Sequence, residues 1–150
     1  KGLQVIKDLA EEVLRNGKNV TITIVGYTSD DSYFEKYDFV KITGSYKQVD
    51  LKKIMLDAKI DVIFLASIWP ETFGFTYSEV VRLGYPVVSF DHGAIVERSI
   101  DNSHTLLVGK CGSSSLIDSI REFVLEQVGI TELEVGKDYG SITKNYYGFQ

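Results

Sequence analysis

The sequence predicts an α/β fold: a three-layer domain with helices on both faces of a mostly parallel sheet. Three observations predict it. Helix-like and strand-like segments alternate along the chain, in the order of a parallel sheet crossed by helices. The strand-like segments are apolar nearly throughout, as strands covered on both faces are. The segments of functional interest, residues 26–28, 67–74 and 91–94, follow directly on these strands, where open parallel sheets bind their ligands.

Each element has its own signal. Leu3, Ile6, Leu9, Ala10, Val13 and Leu14 recur at helical spacing, so residues 2–16 read as an amphipathic helix stopped by Asn16-Gly17. VTITIVG at 20–26 reads as a strand covered on both faces. Residues 28–38 are polar and aromatic, a loop with room for a short helix, and residues 39–43 fit a short strand. Leu51, Ile54, Met55 and Ala58 mark a second helix, with Asp50 as its N-cap. IDVIFLAS at 60–67 is another buried strand, and residues 70–74 are loop. Residues 76–83 read as a short helix ended by Gly84 and followed by Pro86. PVVSF is a strand, residues 93–100 a loop with a short helix, and residues 104–108 a short strand. CGSSS reads as a linker whose serines cap a helix carrying Leu116, Ile117, Ile120, Phe123, Val124 and Leu125. The last twenty residues are less regular. No internal repeat or low-complexity tract is visible.

The chain of 150 residues is of single-domain size and long enough to bury a core. Sixteen Lys plus Arg against twenty-one Asp plus Glu give a net charge of −5, which argues against a broad nucleic-acid surface. A small anion pocket remains open, since a Lys and helix N-termini can hold a phosphate. Cys111 is the single cysteine, so no disulfide framework or thiolate metal cluster is expected. No apolar run reaches the length of a membrane span, and no signal peptide is recognisable. The start at Lys1-Gly2 without Met, and the aromatic tail, read as a processed or excised piece of a longer protein.

WPETFGFTYSE at 69–79 carries the densest set of candidate groups. Pro70 stiffens the loop leaving a strand, and Gly74 permits a backbone position that side-chained residues resist. Thr76 or its neighbours open a helix whose free N–H groups favour an anion, usually phosphate. Glu79 lies about one turn into that helix, and Glu71 lies in the loop before it. A carboxylate can accept two hydrogen bonds from vicinal hydroxyls of a sugar. The residues by themselves leave two readings open: hydroxyl-holders at either end of an anion site, or a solvated helix residue and a surface loop charge. In FDHGAIVERS, Gly93 and the amides after it can form a second binding edge. His92 reads as a structural hydrogen-bonder at a strand end more readily than as a base, and His104 as structural. Gly26 ends a strand, but no GxGxxG follows, which disfavours a nicotinamide dehydrogenase. No GxxxxGK[ST] loop, no GxSxG elbow and no metal-spaced cluster is present.

The stretch ASIWPETFGFTYSEVVRLGYPVVSFDHGAIVE resembles the carboxy-terminal, Rossmann-like domain of retaining glycosyltransferases of the GT-B fold, the glycosyl transferases group 1 or glycosyltransferase family 4. Glu71 and Glu79, with seven residues between them, match the two glutamates of that family. Phe73-Gly74 match its turn, Gly84 and Pro86-Val87-Val88 its following strand, and Gly93 with Glu97 its last element. Outward, Lys1-Gly2, Gly26, Gly44 and Asp61-Val62 match further positions, and the resemblance fades after Val108.

The resemblance implies a sugar transferred from a nucleotide-diphosphate sugar to an acceptor hydroxyl with retention, in polysaccharide or glycoconjugate synthesis. It implies that Glu79 binds the donor's ribose and that Glu71 contacts the sugar near the reaction centre. The amides around Phe73, Gly74, Phe75 and Thr76 would hold the sugar or diphosphate, beside Gly26 and Gly93, and Lys1 would neutralise the leaving diphosphate. The donor would be a UDP-, GDP- or similar nucleotide sugar, with no metal and no other cofactor. The acceptor would be a glycan, a lipid-linked sugar or another hydroxyl compound. The compartment implied is the cytoplasm, with peripheral association of the full-length protein at the inner face of a membrane. Residues 1–150 would be the donor-binding domain without its first strand, the Arg that usually precedes Lys1, and the amino-terminal acceptor domain, so the chain alone would transfer nothing or nearly nothing. Ala94 replaces a frequent second Gly, and Val80 a usual Ala. The missing strand and Arg also fit a degenerate binding or assembly module. A nucleotide-sugar epimerase domain is a third reading, with His92 as its only nearby histidine.

Overall fold

The computed structural model describes residues 2–17, 19–109 and 115–128. They form two compact units, one over Gly2–Ile60 and one from Asp61 onward.

In the first unit, α1 spans Leu3–Asn16. Its apolar stripe buries Leu9, Ala10 and Val13. Gly17 ends it in the left-handed conformation, its N–H turned back to the carbonyls of the last turn, so the stop read from Asn16-Gly17 is a glycine C-cap. Strand β1 (Ile22–Ile24) pairs in parallel with β2 (Val40–Ile42), Ile22 opposite Val40. Between them lies a 3-10 helix at Asp31–Lys36, the short helix for which the sequence left room. Phe34, Tyr37 and Ala10 centre the core, with Ile6, Ile22 and Ile24 against them. Helix α2 covers Leu51–Asp57 and buries Leu51 and Met55.

Asp50 stands at the N-cap position of α2 but does not cap it with its side chain. A 3-10 turn over Gln48–Asp50 runs straight into the helix, and Asp50 has φ −88° and ψ −12°. That is helical backbone, whereas a capping side chain needs the extended conformation of a true N-cap.

In the second unit, β3 (Ile63–Leu65), β4 (Val87–Phe90) and β5 (Thr105–Val108) form a parallel sheet in that order. PVVSF forms a strand as predicted, and all four residues of β4 are buried, so it is covered on both faces. β3 and β5 are the edges of this sheet and are only half-buried, as are β1 and β2 in their two-stranded ladder. IDVIFLAS and VTITIVG are thus shorter and less covered strands than their composition suggests. The parallel pairing is as expected, in two ladders among the described residues; hydrophobic pattern marks strands but does not encode which strands pair.

Helix α3 (Phe75–Arg82) starts one residue earlier than predicted and lies against β4. Helix α4 spans Ala94–Ser99 and α5 spans Leu116–Val128. Ile120 and Phe123 of α5 pack on Val88 with Phe64, Leu106 and Leu116 around them. Ser115 caps α5: its Oγ accepts the Asp118 N–H at 3.2 Å, the Ncap-to-N3 bond. Cys111, Ser113 and Ser114 lie outside the described residues.

Candidate functional site

β3 and β4 are parallel neighbours, with Ile63 opposite Val87, so the loops leaving their carboxyl ends emerge side by side. Residues 66–74 lead from β3 to α3, and residues 91–93 lead from β4 to α4. The two loops are bonded to each other. The Ala94 N–H donates to the Glu71 carbonyl at 2.9 Å. His92 Nε2 donates to the Ser67 carbonyl at 2.9 Å, while its Nδ1 is buried without a partner. The imidazole also stacks on Phe90, at 6.1 Å between ring centres. His92 is therefore a structural tether, as the sequence reading favoured.

Gly93 allows the closest approach. Its φ of 68° with ψ of −163° is a conformation essentially closed to residues with a side chain. A Cβ placed there would lie 2.8 Å from the Glu71 nitrogen and 2.9 Å from its carbonyl oxygen. Gly93 thus acts through the backbone of Glu71, holding the loop that carries the carboxylate.

Gly74, with φ 72°, is the left-handed residue from which α3 starts, and it offers no capping side chain. The first intrahelical bond runs from the Ser78 N–H to the Gly74 carbonyl at 3.2 Å. The N–H groups of Phe75, Thr76 and Tyr77 precede that bond, and they form the positive end of the helix. Thr76, Phe73 and Phe75 are exposed, the two rings tilted against each other with centres 4.8 Å apart. Tyr77 and Val80 point inward and are buried. The Tyr77 hydroxyl meets Thr105 Oγ1 at 2.9 Å and accepts from Asn102 Nδ2 at 3.2 Å, which ties α3 to the start of β5. Glu79 is half-buried, one turn along from Phe75 on the same side of the helix. Glu71 is half-buried in the preceding loop, and its Oε2 lies 3.8 Å from where a Gly74 Cβ would be.

The structure thus gathers Glu71, Phe73, Gly74, Phe75, Thr76 and Gly93 around the start of α3, with Glu79 on the same helix. Gly26 belongs to the Gly2–Ile60 unit. It has φ 110°, and its N–H donates to Thr43 Oγ1 at 2.9 Å. Lys1 lies outside the described residues. Among the described residues, no three His, Cys, Asp or Glu side chains gather as a metal group would, and no helix is long and apolar enough to cross a membrane.

The sequence reading missed Arg98. From α4 its Nη1 donates to the Phe73 carbonyl at 2.6 Å and to the Gly74 carbonyl at 3.2 Å. Its Nη2 donates to Ser78 Oγ at 2.6 Å, and the guanidinium lies 4.4 Å from the centre of the Phe73 ring. In the segment VERS an Arg reads as a solvated helix residue. Its partners are twenty to twenty-five positions away, and no local pattern announces them.

Two adjacent strand-to-helix loops thus build a carboxylate-flanked helix start in an α/β, parallel-sheet protein, at the carboxyl ends of its strands. A family model described as "Glycosyl transferases group 1" matches residues 1–141, nearly the whole chain. The chain belongs to this family, and its parallel α/β units are of the Rossmann-like kind expected there. Searches of curated proteins and of solved structures return no match.

Proposed function

We propose that this chain is the donor-binding, carboxy-terminal domain of a retaining glycosyltransferase of family 4, working within a GT-B architecture. Membership of the group 1 glycosyltransferases makes sugar transfer the activity class. One observation carries the finer reading: Glu71 and Glu79 stand before and within the first turns of α3, whose N-cap residue Gly74 has no side chain to cap the leading N–H groups. A nucleotide sugar has matching parts. Its diphosphate is an anion for the helix start, and the diols of its sugar and ribose suit the two carboxylates.

In this reading Glu79 holds the ribose hydroxyls and Glu71 the sugar near the anomeric carbon. The amides of residues 73–76 hold the diphosphate or the sugar, with Gly93 fixing Glu71. Lys1 neutralises the diphosphate as it leaves, so that neither a metal nor another cofactor is needed. The donor is a UDP-, GDP- or similar nucleotide sugar. The acceptor, a glycan or lipid-linked hydroxyl, is bound by a second domain in the cytoplasm or at the inner face of a membrane, in polysaccharide or glycoconjugate synthesis.

Calorimetry or NMR titration of the folded chain with UDP, GDP and their sugars tests this. At least one nucleotide sugar should bind. Glu79→Ala should weaken it about tenfold or more, the value of hydrogen bonds to a charged group, and Lys1→Ala should weaken it as well. Failure of a folded chain to bind any nucleotide sugar would sink the proposal.

A further inference from the structure

We infer that Arg98 is a positioning residue that aims the Gly74 and Phe75 amides at the bound donor. The inference deepens, and rests on, the donor-site reading above. The 71–74 loop is held from one side by a single helix, α4. At its start, Ala94 donates to the Glu71 carbonyl and Gly93 packs on the Glu71 backbone. At its end, the Arg98 guanidinium takes the carbonyls of both Phe73 and Gly74.

Those two carbonyls belong to the peptide units whose N–H groups are those of Gly74 and Phe75. No peptide among the described residues is cis. In a planar trans peptide the N–H points opposite to the C=O. Turning both carbonyls toward the guanidinium therefore turns both N–H groups away from it, outward from α4. The same bonds do electronic work. A cation on a carbonyl oxygen polarises the peptide and makes its N–H a better donor. Arg98 thus delivers part of its charge to a ligand that it does not touch. The fork geometry matters, because one Nη atom spans two carbonyls while the other holds Ser78.

The test is an NMR titration of the 15N-labelled chain with UDP-glucose and with GDP-mannose, for wild type, Arg98→Lys, Arg98→Met and Ser78→Ala. Arg98→Met should weaken the sugar nucleotide that binds by about tenfold. It should also lose the ligand-induced shifts of the Gly74 and Phe75 amides while keeping that of Glu79. Arg98→Lys should recover part of the loss, and Ser78→Ala should stay within about twofold of wild type. Binding of Arg98→Met within about twofold of wild type, with both amide shifts intact, overturns the inference. Should Arg98→Met not fold, Arg98→Lys decides on the same criteria. Should the wild type bind neither compound, the other UDP and GDP sugars replace them in the same titration. A wild type that binds none sinks the donor reading and this inference with it, whereas a wild type that binds with an unaffected Arg98→Met sinks this inference alone.

Discussion

Gly93 and Gly74 are both glycines at positive φ, but they do different work. Gly74 is left-handed and faces side chains; the nearest atom to a Cβ there is Ile95 Cγ1 at 3.3 Å, which can shift. Gly93 sits in a glycine-only conformation, and a Cβ there strikes the Glu71 backbone at 2.8 Å. Backbone that also carries a carboxylate cannot yield without moving it. Gly93→Ala should therefore cost about 1–3 kcal/mol in urea unfolding from strain alone, and more where the loop gives way. Gly74→Ala should cost less, about 1–2 kcal/mol for the left-handed conformation. Equal losses for the two variants would contradict the backbone contact. Gly93→Ala should also weaken donor binding, because Glu71 moves with the loop.

At the scale of elements, α1 is joined to the 3-10 helix by polar and aromatic contacts. Lys7 Nζ lies 2.6 Å from Asp30 Oδ2, and both Lys7 and Lys36 lie over the Tyr33 ring. Tyr33 donates its hydroxyl proton to Glu11, which pushes its ionisation well above the ordinary tyrosine range. Asp30 shifts the other way: its hydrogen bonds from Lys7 first, then Ser32, hold its pKa below the ordinary 3.8. A carboxylate whose folded pKa is depressed adds stability above its unfolded value and loses it as pH falls through the folded one. The stability advantage of wild type over Asp30→Asn should thus be full at about pH 6 and shrink below about pH 4. An advantage that grows on acidification would contradict the Lys7–Asp30 assignment. The Asp30 side chain is partly open to solvent, so the effect is modest and should fade with added salt.

At the scale of the whole molecule, a ligand that binds only the folded chain stabilises it by mass action. With donor at about 100 times its Kd, the gain is about 2.7 kcal/mol, roughly 5–10 °C in Tm for a chain of this size. The transition that should respond is that of the residues from Asp61 onward, where α3 and both glutamates lie. A nucleotide sugar that binds by calorimetry yet leaves this transition in place would mean that the donor sits elsewhere. Binding should also occur without turnover, since the acceptor is assigned to a second domain. Robust transfer by the chain alone would overturn that assignment.

Much of this was legible in the residues. The helical periodicity of α1 and α5, the Gly17 stop and the buried Val87–Phe90 strand follow from local chemistry, because side-chain spacing and glycine conformation act within one element. The ordered run from Glu71 to Glu97 pointed to the group 1 glycosyltransferases, and a family model of that description matches residues 1–141. Other features depend on residues distant in sequence. The division of strands into two ladders is one. The bond from His92 to Ser67 and the hold of Arg98 on the 73–74 turn join residues about twenty-five positions apart. Sequence alone determined which groups this protein carries and which element each stands on. Only the tertiary structure decided which of them are held and how they are aimed, because a hydrogen bond across two loops is set by strand register and loop backbone, and neither is written in any one stretch of residues.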